Sequence, residues 1–128
     1  MKTNSEEWLK QAEYDLSAAE RMLESNLPAH ATFTIHLALE KILKAYYVKL
    51  KKKTPPKTHS LLFFAGELSL DISEPDFSLL EELEGMGVEA RYPPDLDNTL
   101  RDLPPERVYS TLQRAKLVFT WIKTELLR

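Results

Sequence analysis

AHATFTIHLALEKILKAYYVKLKKK, residues 29–53, decides the fold. Its apolar side chains, Phe33, Ile35, Leu37, Leu39, Ile42, Leu43, Tyr46, Tyr47 and Leu50, fall on more than one side of a helix. A helix that is apolar around most of its circumference must be packed by several neighbours. The segment therefore predicts a central helix of roughly 25 residues, about 37 Å long at ~1.5 Å per residue. Glu40 and Lys44 form an i,i+4 pair in the favourable order. Lys49, Lys51, Lys52 and Lys53 complement the helix dipole at the C-terminal end. TPPK, residues 54–57, then stops the helix.

The flanking segments carry the same periodicity. Upstream, Trp8, Ala12, Leu16, Ala19 and Leu23 step by four, four, three and four along one helix face. Thr3 or Asn4, each followed three residues later by Glu6 or Glu7, provides a capping-box start. SNLP, residues 25–28, ends that helix, because the residue before a proline avoids the helical region. Downstream, helices are expected from Ser60 to about Ser69 and from about Asp76 to Leu83. GMG at 85–87 is expected to break the pattern, leaving VEARYPPDLDN, residues 88–98, as an extended connector. A last helix starts near Pro104 and Pro105 and presents Tyr109, Leu112, Ala115 or Lys116, Phe119, Ile122 and Leu126. Three glycines leave little material for β-turns. The expected fold is all-α, an up-and-down bundle of four to five helices in one domain over residues 1–128.

Composition narrows the function. With 43% hydrophobic and 29% charged residues the chain reads as an ordinary soluble globular protein. It has no cysteine, which rules out disulfides and thiolate metal sites. MKTNSEEWLKQAEYDL has no signal-type apolar core, and the longest wholly apolar run, LLFFA at 61–65, is too short to span a bilayer. A cytoplasmic protein that engages no membrane is expected. Charge is segregated: residues 41–57 carry seven lysines and no acid, whereas residues 58–90 carry eight acids and no Lys or Arg. Such blocks either face each other, within the chain or across a dimer, or leave a basic patch open to nucleotide or RNA phosphates.

Four pieces in order carry a family resemblance: WLKQAEYDLSAAERML, FTIHLALEKILKAYYV, THSLLFFAGEL and ARYPP. Together they resemble the HEPN domain family, in its minimal stand-alone prokaryotic type, over nearly the whole chain. The resemblance implies a helical homodimer with a cleft on its two-fold axis. It also implies nucleotide or RNA as ligand and a small nucleotidyltransferase as partner, in a toxin–antitoxin-like pair. Active relatives are metal-independent ribonucleases with an Arg-x(4–6)-His motif. In that chemistry a histidine near neutral pKa moves the proton of the RNA 2′-hydroxyl, and the arginine fork holds the phosphate. Here the motif is incomplete: positions 96, 97 and 98 after Arg91 are Leu96, Asp97 and Asn98, and no histidine follows His59. The expectation is a non-catalytic homodimeric binding module, the alternative being a ribonuclease with a displaced general base, His59 or His36. A purely structural dimer held by the two charge blocks is a weaker third reading.

The candidate residues follow. Arg91 and Tyr92 suit a bidentate donor beside a stacking ring for a nucleotide, or else Arg91 pairs with the preceding acids while Tyr92 packs the elbow. Lys41 and Lys44 either meet phosphate at the dimer cleft or sit on an exposed, salt-bridged face. His59, between Thr58 and Ser60, stands at a helix start; it caps or packs, or replaces the missing histidine if the fold brings it to Arg91. His36 reads as a buried core or interface histidine, and His30 as surface. Asp95 and Asp97 fit turn residues better than ligands for a divalent cation. Histidines at 30, 36 and 59 match no zinc spacing, and there is no Gly-rich phosphate loop, so neither metal nor cofactor is expected.

Overall fold

The computed structural model describes residues 4–128. Its described residues form six helices: α1 (Ser5–Glu24), α2 (Pro28–Lys51), α3 (Leu61–Glu67), α4 (Glu74–Arg91), α5 (Leu96–Asp102) and α6 (Pro105–Leu126). The fold is all-α. Asn4 caps α1 by accepting from the Glu7 N–H at 2.9 Å. The other candidate cap, Thr3, lies outside the described residues. The chain reverses after α1 at Asn26, which takes a left-handed φ of 61° that asparagine tolerates.

α1 and α2 then run antiparallel and share the most extensive helix–helix contact in the molecule. Small residues explain why they lie so close. Ala12 and Ala19 on α1, and Ala31, Ala38 and Ala45 on α2, recur every seven residues and are fully buried. At one end the Ser5 hydroxyl donates to the Ala45 carbonyl at 2.9 Å, and at the other the Thr34 hydroxyl lies 3.3 Å from Met22 Sδ.

α2 is the axis of the bundle, in contact with all five other helices. Fourteen of its residues are buried, among them Ile35, Leu39, Ile42, Leu43 and Tyr47. Tyr47 meets Phe64 of α3 edge to face, with ring centroids 5.9 Å apart. The abundant apolar surface of α2 is therefore consumed inside the monomer.

The structure departs from expectation around GMG. α4 runs unbroken from Ser73, its N-cap, through Gly85 and Gly87 to Arg91. Neither glycine has a positive φ. A helical glycine costs about 1 kcal/mol relative to alanine, and burial of Leu79, Leu80, Leu83 and Met86 along α4 outweighs that penalty. Gly87 has a packing reason to be glycine: a Cβ there would lie 2.9 Å from His36 Cδ2 on α2. Gly85 faces open space. Gly85→Ala is thus expected to raise the melting temperature, by up to about 1 kcal/mol of added stability, whereas Gly87→Ala lowers it. Thermal unfolding of the two variants separates these effects, and upward shifts in both would contradict the close packing at Gly87.

Two further differences have local causes. The expected connector contains α5, because Asp95 accepts from the Asn98 N–H and so acts as a helix N-cap rather than a turn residue. In α6 the buried face includes Val108, Thr111 and Val118 together with Leu112, Ala115, Phe119, Ile122 and Leu126, while Tyr109 points outward. Lys116 pairs with Glu20 of α1 at 3.1 Å. The charge blocks do not meet. Among the described residues no ion pair joins residues 41–57 to 58–90; Lys41 instead pairs with Asp15, and Glu82 with Arg107 and Arg114. The reading of a structural element built on these blocks pairing within the chain is thereby corrected. No described helix is long and apolar enough to cross a membrane.

Candidate functional site

The residues singled out in sequence separate into two groups. His36 of α2, His59 and Ser60 before α3, and Gly87, Val88 and Arg91 of α4 line one cleft of about 310 Å³, with Thr58 and Glu84 completing it. Lys41 faces away from it, bonded to Asp15 at 2.9 Å. Tyr92, just past the end of α4, is exposed and does not line the cleft, nor do Asp95 and Asp97. His30 is exposed.

Each wall of the cleft is held by local chemistry. Ser60 caps α3, accepting from the Phe63 N–H at 3.1 Å. Glu84 reaches across from α4 and accepts from the Leu61 N–H at 2.5 Å and the Leu62 N–H at 3.3 Å. That carboxylate satisfies donors that the first turn of a helix leaves open, and it fixes the His59 segment against α4. The close approach at Gly87 brings α4 down onto His36. Arg91 ends α4 with its guanidinium 4.6 Å from the centroid of the Phe33 ring, a cation–π seat that orients the fork. Among the described residues Arg91 makes no salt bridge, so it does not pair with the preceding acids.

Glu40, treated in sequence as half of a surface pair, is the organising residue. It is only 3% exposed and bonds on two sides. Lys44 Nζ donates to Oε2 at 3.0 Å, and His59 Nδ1 lies 3.1 Å from Oε1 and 3.2 Å from Oε2. A carboxylate only accepts, so His59 carries its proton on Nδ1 and keeps Nε2 as the basic nitrogen of the neutral ring. His36 Nδ1 is 3.8 Å from Glu40, beyond hydrogen-bond reach, and is buried without a partner. Arg91 Nε is likewise buried and unpartnered. Two nitrogen atoms without partners thus belong to residues of the same cleft, and buried polar atoms seldom go unpaired.

His36 is held below the ordinary histidine pKa, first by burial and then by the nearby Arg91 and His59 charges, against the opposing pull of Glu40 and Glu84. The unfolded chain therefore binds the proton more readily than the folded one. Stability from the neutral ring is fully present above a pH of about 6.5 and is lost as pH falls from there through the lower folded value, with a slope of up to ~1.4 kcal/mol per pH unit. Denaturant titrations between pH 7.5 and 5 check this as expected against His36→Asn. The decline is shallower in the variant.

Among the described residues no group of three or more His, Asp or Glu side chains is arranged to hold a metal ion. The cleft offers instead an arginine fork, an oriented imidazole and a neutral buried imidazole. The HEPN domain model matches residues 5–125. The chain belongs to the HEPN domain family. The crystal structure of TT1696 from Thermus thermophilus superposes with a TM-score of 0.79 over 94% of this chain and 96% of that one. At 23% identity, that likeness establishes the shared fold alone. No curated protein matches the chain. Within the HEPN fold, the cleft thus gathers residues from α2, the start of α3 and the end of α4, which a sequence motif confined to one segment does not reveal.

Proposed function

We propose that this HEPN protein is a binding module that holds the phosphate of a nucleotide or of RNA in the cleft between α2, α3 and α4. One observation carries the reading: Arg91 and His36, each with a buried nitrogen that has no partner, line the same cleft as His59. A phosphate oxygen supplies the acceptors that the fork lacks, and an arginine fork recognises phosphate bidentately. The module acts as a homodimer. Val88, Tyr92 and Leu96 leave apolar surface exposed beside the cleft, where a second copy would close over it. The family resemblance adds a small nucleotidyltransferase as partner, and the setting we propose is the cytoplasm. Fluorescence anisotropy with a short labelled single-stranded RNA tests the binding reading: wild type binds and Arg91→Ala does not, and equal binding by both proteins would end it.

A second reading is supported by a separate observation. Glu40 locks the His59 tautomer, the arrangement a metal-independent ribonuclease needs in its general base. In that reading His59 takes the 2′-hydroxyl proton while Arg91 carries the charge on the phosphate. Cleavage of RNA in EDTA, lost in both His59→Ala and Arg91→Ala, would favour it over binding alone. RNA that stays intact with wild-type protein leaves the binding module.

A further inference from the structure

A cavity larger than the histidine–arginine cleft lies where the start of α1 meets the end of α2 and the 54–57 segment, and encloses about 690 Å³. Four lysines line it, Lys44, Lys52, Lys53 and Lys57, together with Trp8 and the Pro55–Pro56 pair, and among the described residues no acidic one does. Lys44 is the one of the four that an ion pair engages among the described residues. The Trp8 indole Nε1 is buried with no hydrogen-bond acceptor.

The charge balance decides what the cavity takes. The carbonyl end of α2 contributes roughly half a negative elementary charge. Three lysines without carboxylate partners exceed that severalfold, so the cavity keeps a positive potential. Lys49 is otherwise occupied, donating to the carbonyls of Leu126 and Arg128 at the end of α6, so it adds nothing here. Beside Asn4 and Thr54, the remaining wall is the Trp8 indole, Val48 and two prolines, an apolar face suited to a flat ring. The volume falls within the roughly 300–1,000 Å³ usual for small-molecule sites.

We infer that this cavity is a second ligand site, which binds a small organic polyphosphate and reports its occupancy to His59 through Lys44 and Glu40. The phosphate chain meets the lysines and the ring lies against Trp8 and the prolines, where a phosphate oxygen can also accept from the indole N–H. Lys44 is the link. Its ammonium sits 5.3 Å from the Trp8 ring centroid and donates to Glu40, which in turn holds His59. A polyphosphate in the cavity competes with Glu40 for Lys44 and so alters the bond that orients His59. The binding half of this inference is independent of the phosphate reading of the cleft.

Calorimetric titration with inorganic tripolyphosphate and with ATP, both in EDTA at low salt, tests it. Saturable binding is expected, tighter for ATP, where the ring wall takes part. The double variant Lys53→Ala/Lys57→Ala, both exposed positions, loses the cavity's binding event or weakens it roughly tenfold or more, whereas Arg91→Ala keeps that event and loses only the one that belongs to the cleft. Loss in Arg91→Ala with no change in the lysine variant would place the anion in the cleft and overturn the second site, as would the absence of saturable binding by wild type. In NMR spectra of the same titrations in the Arg91→Ala background, where the cleft holds no phosphate, the His59 ring signals move, and they stay in place once Lys53→Ala/Lys57→Ala is added. Binding without that movement overturns the link through Lys44.

Discussion

Replacing Glu40 by alanine is expected to destabilise the fold by about 3–5 kcal/mol, the usual cost of removing one partner from a buried pair. The variant leaves Lys44, 7% exposed, without its carboxylate beside Trp8 and Phe64, and frees His59 from its bond to α2. The cost lies mainly in the stranded ammonium rather than in the lost attraction. Adding Lys44→Met to Glu40→Ala should therefore recover a large share of the stability, because an apolar side chain of similar length has no charge to desolvate. Urea unfolding of the two variants beside wild type checks both statements. A loss below about 1 kcal/mol for Glu40→Ala would mark the pair as an ordinary surface contact. A double variant less stable than Glu40→Ala would deny the stranded charge.

Arg91→Ala is the second large effect, a loss of RNA or nucleotide binding of roughly 30-fold or more, corresponding to about 2 kcal/mol for a charge-assisted bidentate contact. Arg91→Lys is informative because it keeps the charge while losing the fork and much of the stacking on Phe33. A phosphate held bidentately stays weakly bound in Arg91→Lys, within a few-fold of Arg91→Ala. A phosphate attracted by charge alone is restored nearly to wild type. Neither substitution should disturb the fold greatly, since Arg91 is the last residue of α4 and makes no ion pair within the described chain. Matching circular dichroism and unfolding curves separate a binding defect from a folding one.

The central helix was legible in sequence because its apolar residues cover its circumference, a pattern that only a helix packed on all sides explains. The stripe of α1 was legible for the same reason. What misled was local chemistry taken without its tertiary setting. GMG reads as a break, yet Gly87 is the contact point that lets α4 approach His36. PPDLDN reads as a turn, yet Asp95 starts a helix. In α6 the expected stripe is the buried face except at its first position, where Tyr109 is apolar enough to fit the pattern while Val108 is the side chain that is buried.

The site was legible only in pieces. His36, His59 and Arg91 could each be noticed, but their meeting depends on Gly87 and on Glu84, which no local motif marks. Glu40 was the larger omission. The signal was present: a helix apolar on every side leaves no exposed face for a glutamate, and His36, Glu40 and Lys44 recur every four residues along it. A polar stripe on a buried helix has to be paired internally. Tyr92 and Lys41, both chosen from sequence, stand outside the cleft, because side-chain direction at a helix end and on the α1-facing side of α2 is not set by spacing alone.

The phosphate-binding role of the cleft is tested most directly by a two-dimensional NMR titration of the protein with adenosine 5′-monophosphate. The expected result is a set of early, saturable shifts in the amides of residues 58–62 and 87–92 and in the His36 and His59 rings, all absent in Arg91→Ala. Shifts confined to residues 52–57 and Trp8, with the cleft signals unmoved, would contradict it.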